Sequence, residues 1–312
     1  MKPAVLAAGA VLLAMACGEG RAPVEARPTP TPTLERVTTA GSRTTIDMLG
    51  RRVEAPTRVE RVIALSPSAV EFAAALGIDV VGRPSDGAPG AAGAIGPSIS
   101  PDFNAVAALR PDLVLADASL HGARIKDFDK FAYPVFVLKA GSFDEVIAAL
   151  SALGETLGRP ERAAEAITAI RGRVDAVLER VRGAPAPTVL ILTGTGRDVY
   201  AASDATYAGS LVTKLGGRNV LGAVPSGGPL AGFGLVDVGQ VAVKNPDVVL
   251  VIPAGPGGLA AEIRASPAWA GSAAVKAGRV YELDTGLYLR SPGPRAAEAI
   301  EQLGGMLYPE RR

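Results

Sequence analysis

The sequence predicts an α/β protein of two lobes, each with a mainly parallel central sheet flanked by helices, bridged by one long rigid helix. Three observations carry this. From about residue 62 onward, β-branched apolar runs alternate with stretches of helical periodicity, the βαβα pattern of a parallel sheet covered on both faces. The alternation breaks once, between residues 143 and 186, where two helical stretches follow each other directly. One phrase also occurs twice, as ALRPDLVLAD from Ala108 to Asp117 and as AVKNPDVVLV from Ala242 to Val251. In each copy a helix runs into a short polar turn, then Pro-Asp, then a buried strand. Pro111 and Pro246 push the residue before them out of the helical region, so each helix must stop there.

Composition sets the frame. The 312 residues suffice for two domains, and 48% hydrophobic with 20% charged residues marks a globular chain. A net charge of +1 gives no electrostatic case for a nucleic-acid partner. The chain begins MKPAVLAAGAVLLAMAC, with one Lys and an apolar run from Ala4 to Ala16. That run is too short to span a bilayer and suits the apolar region of a signal peptide over residues 1–17. Cys17 is the one cysteine in the chain. Its place looks like the lipidated residue of a bacterial lipoprotein, although Ala14 stands where Leu is commoner and Leu13 comes one place early. Residues 18–43, rich in Pro, Thr and charge without apolar periodicity, read as a disordered tether. An exported protein held by lipid at the outer, periplasmic face of the membrane is expected.

Residues 44–142 form the expected N-terminal lobe. TTIDMLGRRVEAP reads as a hairpin. RVIALSPSAVEFAAALG gives a strand over 62–65, a turn at Ser66-Pro67 and a helix closed by Gly77. Ser68 with Glu71 three positions later spells a capping box. IDVVGR is the next strand, followed by a long Gly/Ser/Pro loop, the first copy of the phrase, and one more helix and strand ending near Leu138. Residues 143–186 form a helical linker. Val146, Ile147, Leu150, Leu153 and Leu157 stripe its first helix. Pro160 opens the second at its favoured first position. As one helix, residues 160–182 measure about 34 Å at 1.5 Å per residue. Residues 187–312 resume the α/β alternation as the C-terminal lobe: TVLILTGTGRDVYAAS as strand, loop and hairpin, DATYAGSLVTKLGG as a capped helix, the second phrase, SPAWAGSAAVKAGRVYELD, and a terminal helix.

Taken in order, RVIALSPSAVEFAAALG, ALRPDLVLAD, LVTKLGGRNVLG, KNPDVVLV, SPAWAGSAAVKAGRVYEL and GPRAAEAIEQL resemble the periplasmic binding proteins of ABC importers for iron-siderophores, haem and cobalamin. The resemblance covers about residues 44–310. It implies a monomer that captures a metal chelate between its lobes and delivers it to a membrane permease driven by an ATPase. It implies no cofactor of the protein's own, since the ligand brings the cobalt or iron. Cobalamin or another corrinoid leads, because no basic cluster for a tri-anionic siderophore stands out; a ferric siderophore follows, then haem. A tethered sensor or scaffold on the same fold is the alternative.

In open α/β sheets ligands sit beyond the carboxyl ends of the strands, here residues 65–68, 83–86, 116–122, 193–200, 253–258 and 285–290. Candidate ligand-binding residues follow. Ser66 and Ser68 face the ligand or cap the helix. His121, the one histidine in the chain, is a ligand for haem iron or cobalt, or a surface loop residue. Tyr200, Tyr207 and Tyr288 stack on a macrocycle, ligate ferric haem or pack. Arg83, Arg197 and Arg290 pair with anionic groups or are merely solvated. Phe103 and Phe233 lie in the Gly/Pro/Ser loops, and Trp269 reads as a packing anchor. A single histidine argues against a zinc or manganese site built from several. Phosphate-loop, dinucleotide and nucleophile-elbow patterns are missing, which argues against an enzyme. The resemblance also implies one acidic permease-docking residue per lobe. In the second lobe this is Glu262. In the first, Ala123 stands where Glu is expected, leaving Asp127 or Asp129.

Overall fold

A computed structural model describes residues 41–311 apart from 88, 196–197, 225–230 and 256–257. The signal peptide with Cys17, the tether as far as residue 40, and Arg197 lie outside the described residues.

Strands β1 (Ser42–Ile46) and β2 (Arg52–Pro56) form the expected antiparallel hairpin. Its tip is organised by Asp47, a buried carboxylate that accepts from Leu49 N and Arg51 N at 2.9 Å each and pairs with the Arg51 guanidinium at 2.8 Å. Gly50, at φ +79°, supplies the left-handed turn. Met48 N donates to Val137 O and Arg51 Nη2 to Val135 O, which docks the hairpin on the first sheet.

That sheet is parallel throughout. Its strands are β3 (Val62–Ala64), β4 (Gly82–Arg83), β5 (Gly93–Ala94), β6 (Leu113–Asp117) and β7 (Val135–Leu138), in the order β5-β4-β3-β6-β7. The chain steps outward from β3 to β5, then crosses back to β6, so a topological switch point lies between β3 and β6. Helix α1 (Pro67–Ala75) follows β3, α2 (Phe103–Ala108) precedes β6, and α3 (Ala118–His121) follows it.

Two helices then leave the lobe. In α4 (Phe143–Thr156), Ser142 caps the Glu145 N–H and the Glu145 carboxylate returns to Gly141 N. In α5 (Pro160–Val181), Pro160 opens the helix as expected, and 22 residues make it about 33 Å long. Gly154 lets α4 and α5 approach: a Cβ there would lie 2.4 Å from Ala163 Cβ.

The second sheet comprises β8 (Thr188–Thr195), β9 (Asp198–Ala202), β10 (Arg218–Asn219), β11 (Phe233–Leu235), β12 (Val248–Pro253) and β13 (Val280–Glu282). Its order is β11-β9-β8-β12-β13, with β10 beside the start of β8. Strands β10, β8, β12 and β13 are parallel, whereas β9 returns antiparallel to β8 and β11, later in the chain, pairs antiparallel with β9. A second switch point lies between β8 and β12. Helices α6 (Tyr207–Lys214), α7 (Val238–Ala242), α8 (Leu259–Ala265), α9 (Ala273–Lys276) and α10 (Ala296–Leu307) surround it. Helix α10 packs on α5, where a Cβ at Gly304 would meet Val177 Cγ1 at 2.8 Å, and Arg173 of α5 grips Glu301 of α10 with two bonds of 2.9 and 2.7 Å. Trp269 is fully buried and donates to Val238 O at 3.1 Å, the anchoring expected of it.

The repeated phrase is a matched device with one unexpected detail. Arg110 and Asn245, the residues before the prolines, are left-handed at φ +45° and +47°, not extended. They close the helices by reversing the chain, a conformation Asn tolerates better than Arg. The aspartates that follow clamp the neighbouring strand: Asp112 accepts from Glu60 N and Arg61 N at 2.8 and 2.9 Å, just before β3, and Asp247 accepts from Thr188 N and Oγ1 at 2.7 Å each, at the start of β8.

The Ser68–Glu71 capping box does not form. Ser66 is the N-cap, accepting from Ala69 N at 3.1 Å, because Pro67 already occupies the first helical position. That shift frees Ser68 and Glu71 for contacts with the other lobe.

Candidate binding cleft

A cavity of about 480 Å³ lies where the two switch points face each other. Pro67, Glu71, Asp86 and Gly87 line it from the first lobe; Pro253–Gly255, Thr285, Gly286, Arg290, Ser291 and Arg295 line it from the second. It draws on four of the six strand-end loops that the sequence nominates. Its volume falls in the usual range of small-molecule sites, about 300–1,000 Å³.

Three contacts join the lobes at its base. Ser68 Oγ donates to Pro292 O at 2.6 Å. The Phe72 ring lies against Gly293, where an added Cβ would approach Cε2 to 3.4 Å. Arg295, at the N-cap of α10, reaches Glu71 through Nε and Nη2, with separations of 3.0–3.2 Å to both carboxylate oxygens. Burial raises the Glu71 carboxyl above its ordinary value, against the pull of Arg295.

The first-lobe wall is held by a chain of polar groups. Asp86 Oδ1 accepts from Ser98 N and Oγ at 2.8 and 2.7 Å. Ser98 O accepts from His121 Nε2 at 2.8 Å, and Asp117 N donates to His121 Nδ1 at 3.0 Å. The Asp117 carboxylate accepts from Ser119 N and Oγ through Oδ1 and from Ser66 Oγ, at 3.4 Å, through Oδ2. Burial pushes the Asp86 carboxyl up, but the Ser98 bonds and Arg290 outweigh it and hold the group below its usual range. Across the cleft, Thr285 Oγ1 donates to Pro253 O at 2.7 Å, tying the loops after β12 and β13. Arg290 is exposed at the mouth, at the end of the turn Gly286–Arg290.

The sequence candidates divide accordingly. Arg290 lines the cavity; Ser66 and Ser68 sit beside it, as cap and lobe contact. His121 is buried and both ring nitrogens are hydrogen-bonded within its own lobe, which leaves neither for a metal. Arg83 is half-buried, donating to Pro84 O and Gly90 O. Phe103 packs edge-on against Phe131 and Phe128 as the first residue of α2, and Phe233 is buried in β11, so neither stands free in a loop. Tyr288 is buried, donating to Ala299 O at 2.9 Å, and Tyr207 is buried at the start of α6; burial raises both phenols. Tyr200 is half-buried on β9, packed against the core. Asp127 pairs with Arg124 at 3.1 Å, and Glu262 is exposed on α8. Sequence reasoning missed Asp86 and Arg295 as cleft residues and gave Glu71 a local role. The GPR triplet before the terminal helix was the available signal for Arg295.

A polar cleft between two α/β lobes, carried on one long helix, defines a ligand-binding protein. The family model described as periplasmic binding protein matches residues 62–287. The chain belongs to the periplasmic binding protein family, whose members carry ligands and are not enzymes. The ABC transporter substrate-binding lipoprotein YvrC of Bacillus subtilis is 26% identical over 263 residues, 80% of this chain and 81% of its own. The Fe(3+) dicitrate-binding periplasmic protein FecB of Escherichia coli is 26% identical over 213 residues, 66% of this chain and 67% of its own. Among solved structures, the petrobactin-binding protein YclQ of Bacillus subtilis superposes with a TM-score of 0.75 at 18% identity, covering 86% of this chain and 99% of that one. Staphylococcus aureus IsdE complexed with heme gives 0.68 at 21% identity, covering 80% and 98%. These two share the fold.

Proposed function

We propose that this protein is the substrate-binding component of an ABC importer and that its cleft captures an anionic ferric chelate of the carboxylate-rich siderophore or citrate type. The observation that supports this best is the lining. Arg290 and Arg295 converge on the cavity with Asp86, Glu71 and Ser291, and none of the described lining residues is aromatic. Guanidinium forks suit carboxylate oxygens, whereas corrin or haem faces call for an apolar and aromatic wall. Tyr207 and Tyr288, which would have supplied it, are buried behind the cavity and do not line it. Cobalamin and haem therefore fall behind the ferric chelate. The names of FecB and of the Bacillus subtilis Fe(3+)-citrate-binding protein YfmC point the same way.

The domain plan is a signal peptide over 1–17, lipid on Cys17, a tether that gives way to the first lobe at β1, two residues earlier than the expected 43/44 boundary, a lobe to 142, a helical linker over 143–186 and a lobe over 187–312. The loaded monomer presents Asp127 and Glu262, one per lobe, to the permease.

A thermal-shift series with ferric dicitrate, a carboxylate siderophore, haemin and cyanocobalamin tests the ligand class. At 100 times its dissociation constant a ligand stabilises by about 2.7 kcal/mol, or roughly 5–10 °C for a protein of this size. The ferric carboxylates should give that shift. A shift with cyanocobalamin or haemin alone would reverse the assignment.

A further inference from the structure

The polar chain behind the first-lobe wall, buried except at Asp86, joins four separate loops. Asp86 follows β4, Ser98 follows β5, and His121, Asp117 and Ser66 lie at the ends of β6 and β3. Only Asp86 faces the cavity. His121 is the hinge pin of this chain: it is 2% exposed, the Asp117 N–H reaches Nδ1, and Nε2–H reaches the Ser98 carbonyl. Those two bonds demand one species, the neutral imidazole protonated on Nε2. The alternative tautomer would set a donor against the Asp117 N–H and an acceptor against the Ser98 carbonyl. The cation would keep the Ser98 bond and lose the other.

We propose that His121 is a positioning residue of the ligand cleft, whose imidazole fixes Ser98, and through it Asp86, relative to the Ser66–Pro67 turn. The first-lobe wall thereby acts as one piece instead of four independent loops. The proposal takes the inter-lobe cavity as the ligand site and holds for any ligand bound there. It also explains why ASLHG follows the first copy of the repeated phrase, where the second copy has PAGPGG.

The groups around the ring agree with this role. Asp117 at the end of β6 and Arg124 in the following turn are the charged groups that face it, with opposite effects on its protonation. Phe128 closes another side edge-on, with ring centroids 5.5 Å apart. Burial is the dominant influence and holds the imidazole below its ordinary pKa, so the required species prevails at neutral pH.

The test uses the exported protein with its single histidine labelled with nitrogen-15. In the wild type, the ring should show a bare Nδ1 and a protonated Nε2 at neutral pH. In His121→Phe, and in His121→Gln as the better-folded alternative, amide shifts should change at Ser98, Asp86 and Gly87 as well as at Ser66. Ferric dicitrate affinity should fall by about tenfold or more, as expected for a buried hydrogen bond left unmade, with less loss in the Gln variant. The wild type should also lose affinity on acidification more steeply than His121→Phe. A ring protonated on Nδ1, shift changes confined to Asp117, Ser119 and Phe128, or unchanged affinity in a folded variant would overturn the proposal. If ferric dicitrate does not bind the wild type, the ligand assignment fails, and the tautomer with the Asp86–Ser66 shift pattern still decides the role of His121.

Discussion

Removing the Glu71–Arg295 pair should loosen the two lobes by an amount the structure sets. The guanidinium meets both carboxylate oxygens at 3.0–3.2 Å, and the side chains retain 26% and 43% of their exposure. A buried charge-assisted pair of this geometry contributes about 1.5–3 kcal/mol, and an exposed one about 0–1. Arg295 is more than a third exposed, so screening places the coupling between the two, near 1–2 kcal/mol. Arg295 also lies 3.7 Å from Glu298, one turn along α10, so Arg295→Ala by itself removes two interactions. A double-mutant cycle of Glu71→Gln and Arg295→Ala isolates the cross-lobe part. Denaturant unfolding of the four proteins should give a coupling of 1–2 kcal/mol, with each single variant losing roughly 2–8 °C in Tm. A coupling within about 0.3 kcal/mol of zero would show that the pair does not hold the lobes together.

Three further outcomes follow from packing and protonation. Asp247→Ala should cost about 1–3 kcal/mol and Asp112→Ala less, because the Asp247 contacts are partly buried and those of Asp112 are solvent-exposed; parallel urea melts compare them. Gly154→Ala should destabilise by about 1–3 kcal/mol through the clash with Ala163. Gly172→Ala on α5, with nothing within 4 Å of the added carbon, should instead stabilise by about 0.5–1 kcal/mol. His121, neutral and buried with a lowered pKa, binds its proton more readily when unfolded, so its contribution is full above about pH 6.5 and is lost as pH falls towards the folded value. Stability measured from pH 7 to 5 should slope down in the wild type and less so in His121→Gln.

The parts of the fold legible in sequence were those written in local periodicity: the hairpin, the long helix from Pro160, and the two Pro-Asp strand starts. Strands β4 and β5 have two residues each, too few to show alternation, so in sequence β4 is only the tail of IDVVGR and β5 is part of a Gly-rich stretch. The cleft was legible as a set of strand ends, since its location follows from topology. Its chemistry was less so. Glu71 and Arg295 are 224 residues apart, and a carboxylate three positions after a serine reads as a cap until Pro67 is seen to shift the cap to Ser66. His121 looked like a loop residue because its partners, Ser98 O and Asp117 N, are backbone groups with no sequence signature. Tyr207 and Tyr288 fall near cleft residues along the chain, but their side chains turn inward, Tyr288 onto Ala299 O of α10 and both into the core.

The central claim is that the cavity between the two switch points is the ligand site. Iron anomalous scattering from crystals grown with ferric dicitrate tests it most directly. A single strong iron peak is expected between the lobes, with chelate density reaching Arg290. A peak outside the cleft, or a saturated cleft with no density against Arg290, would contradict it.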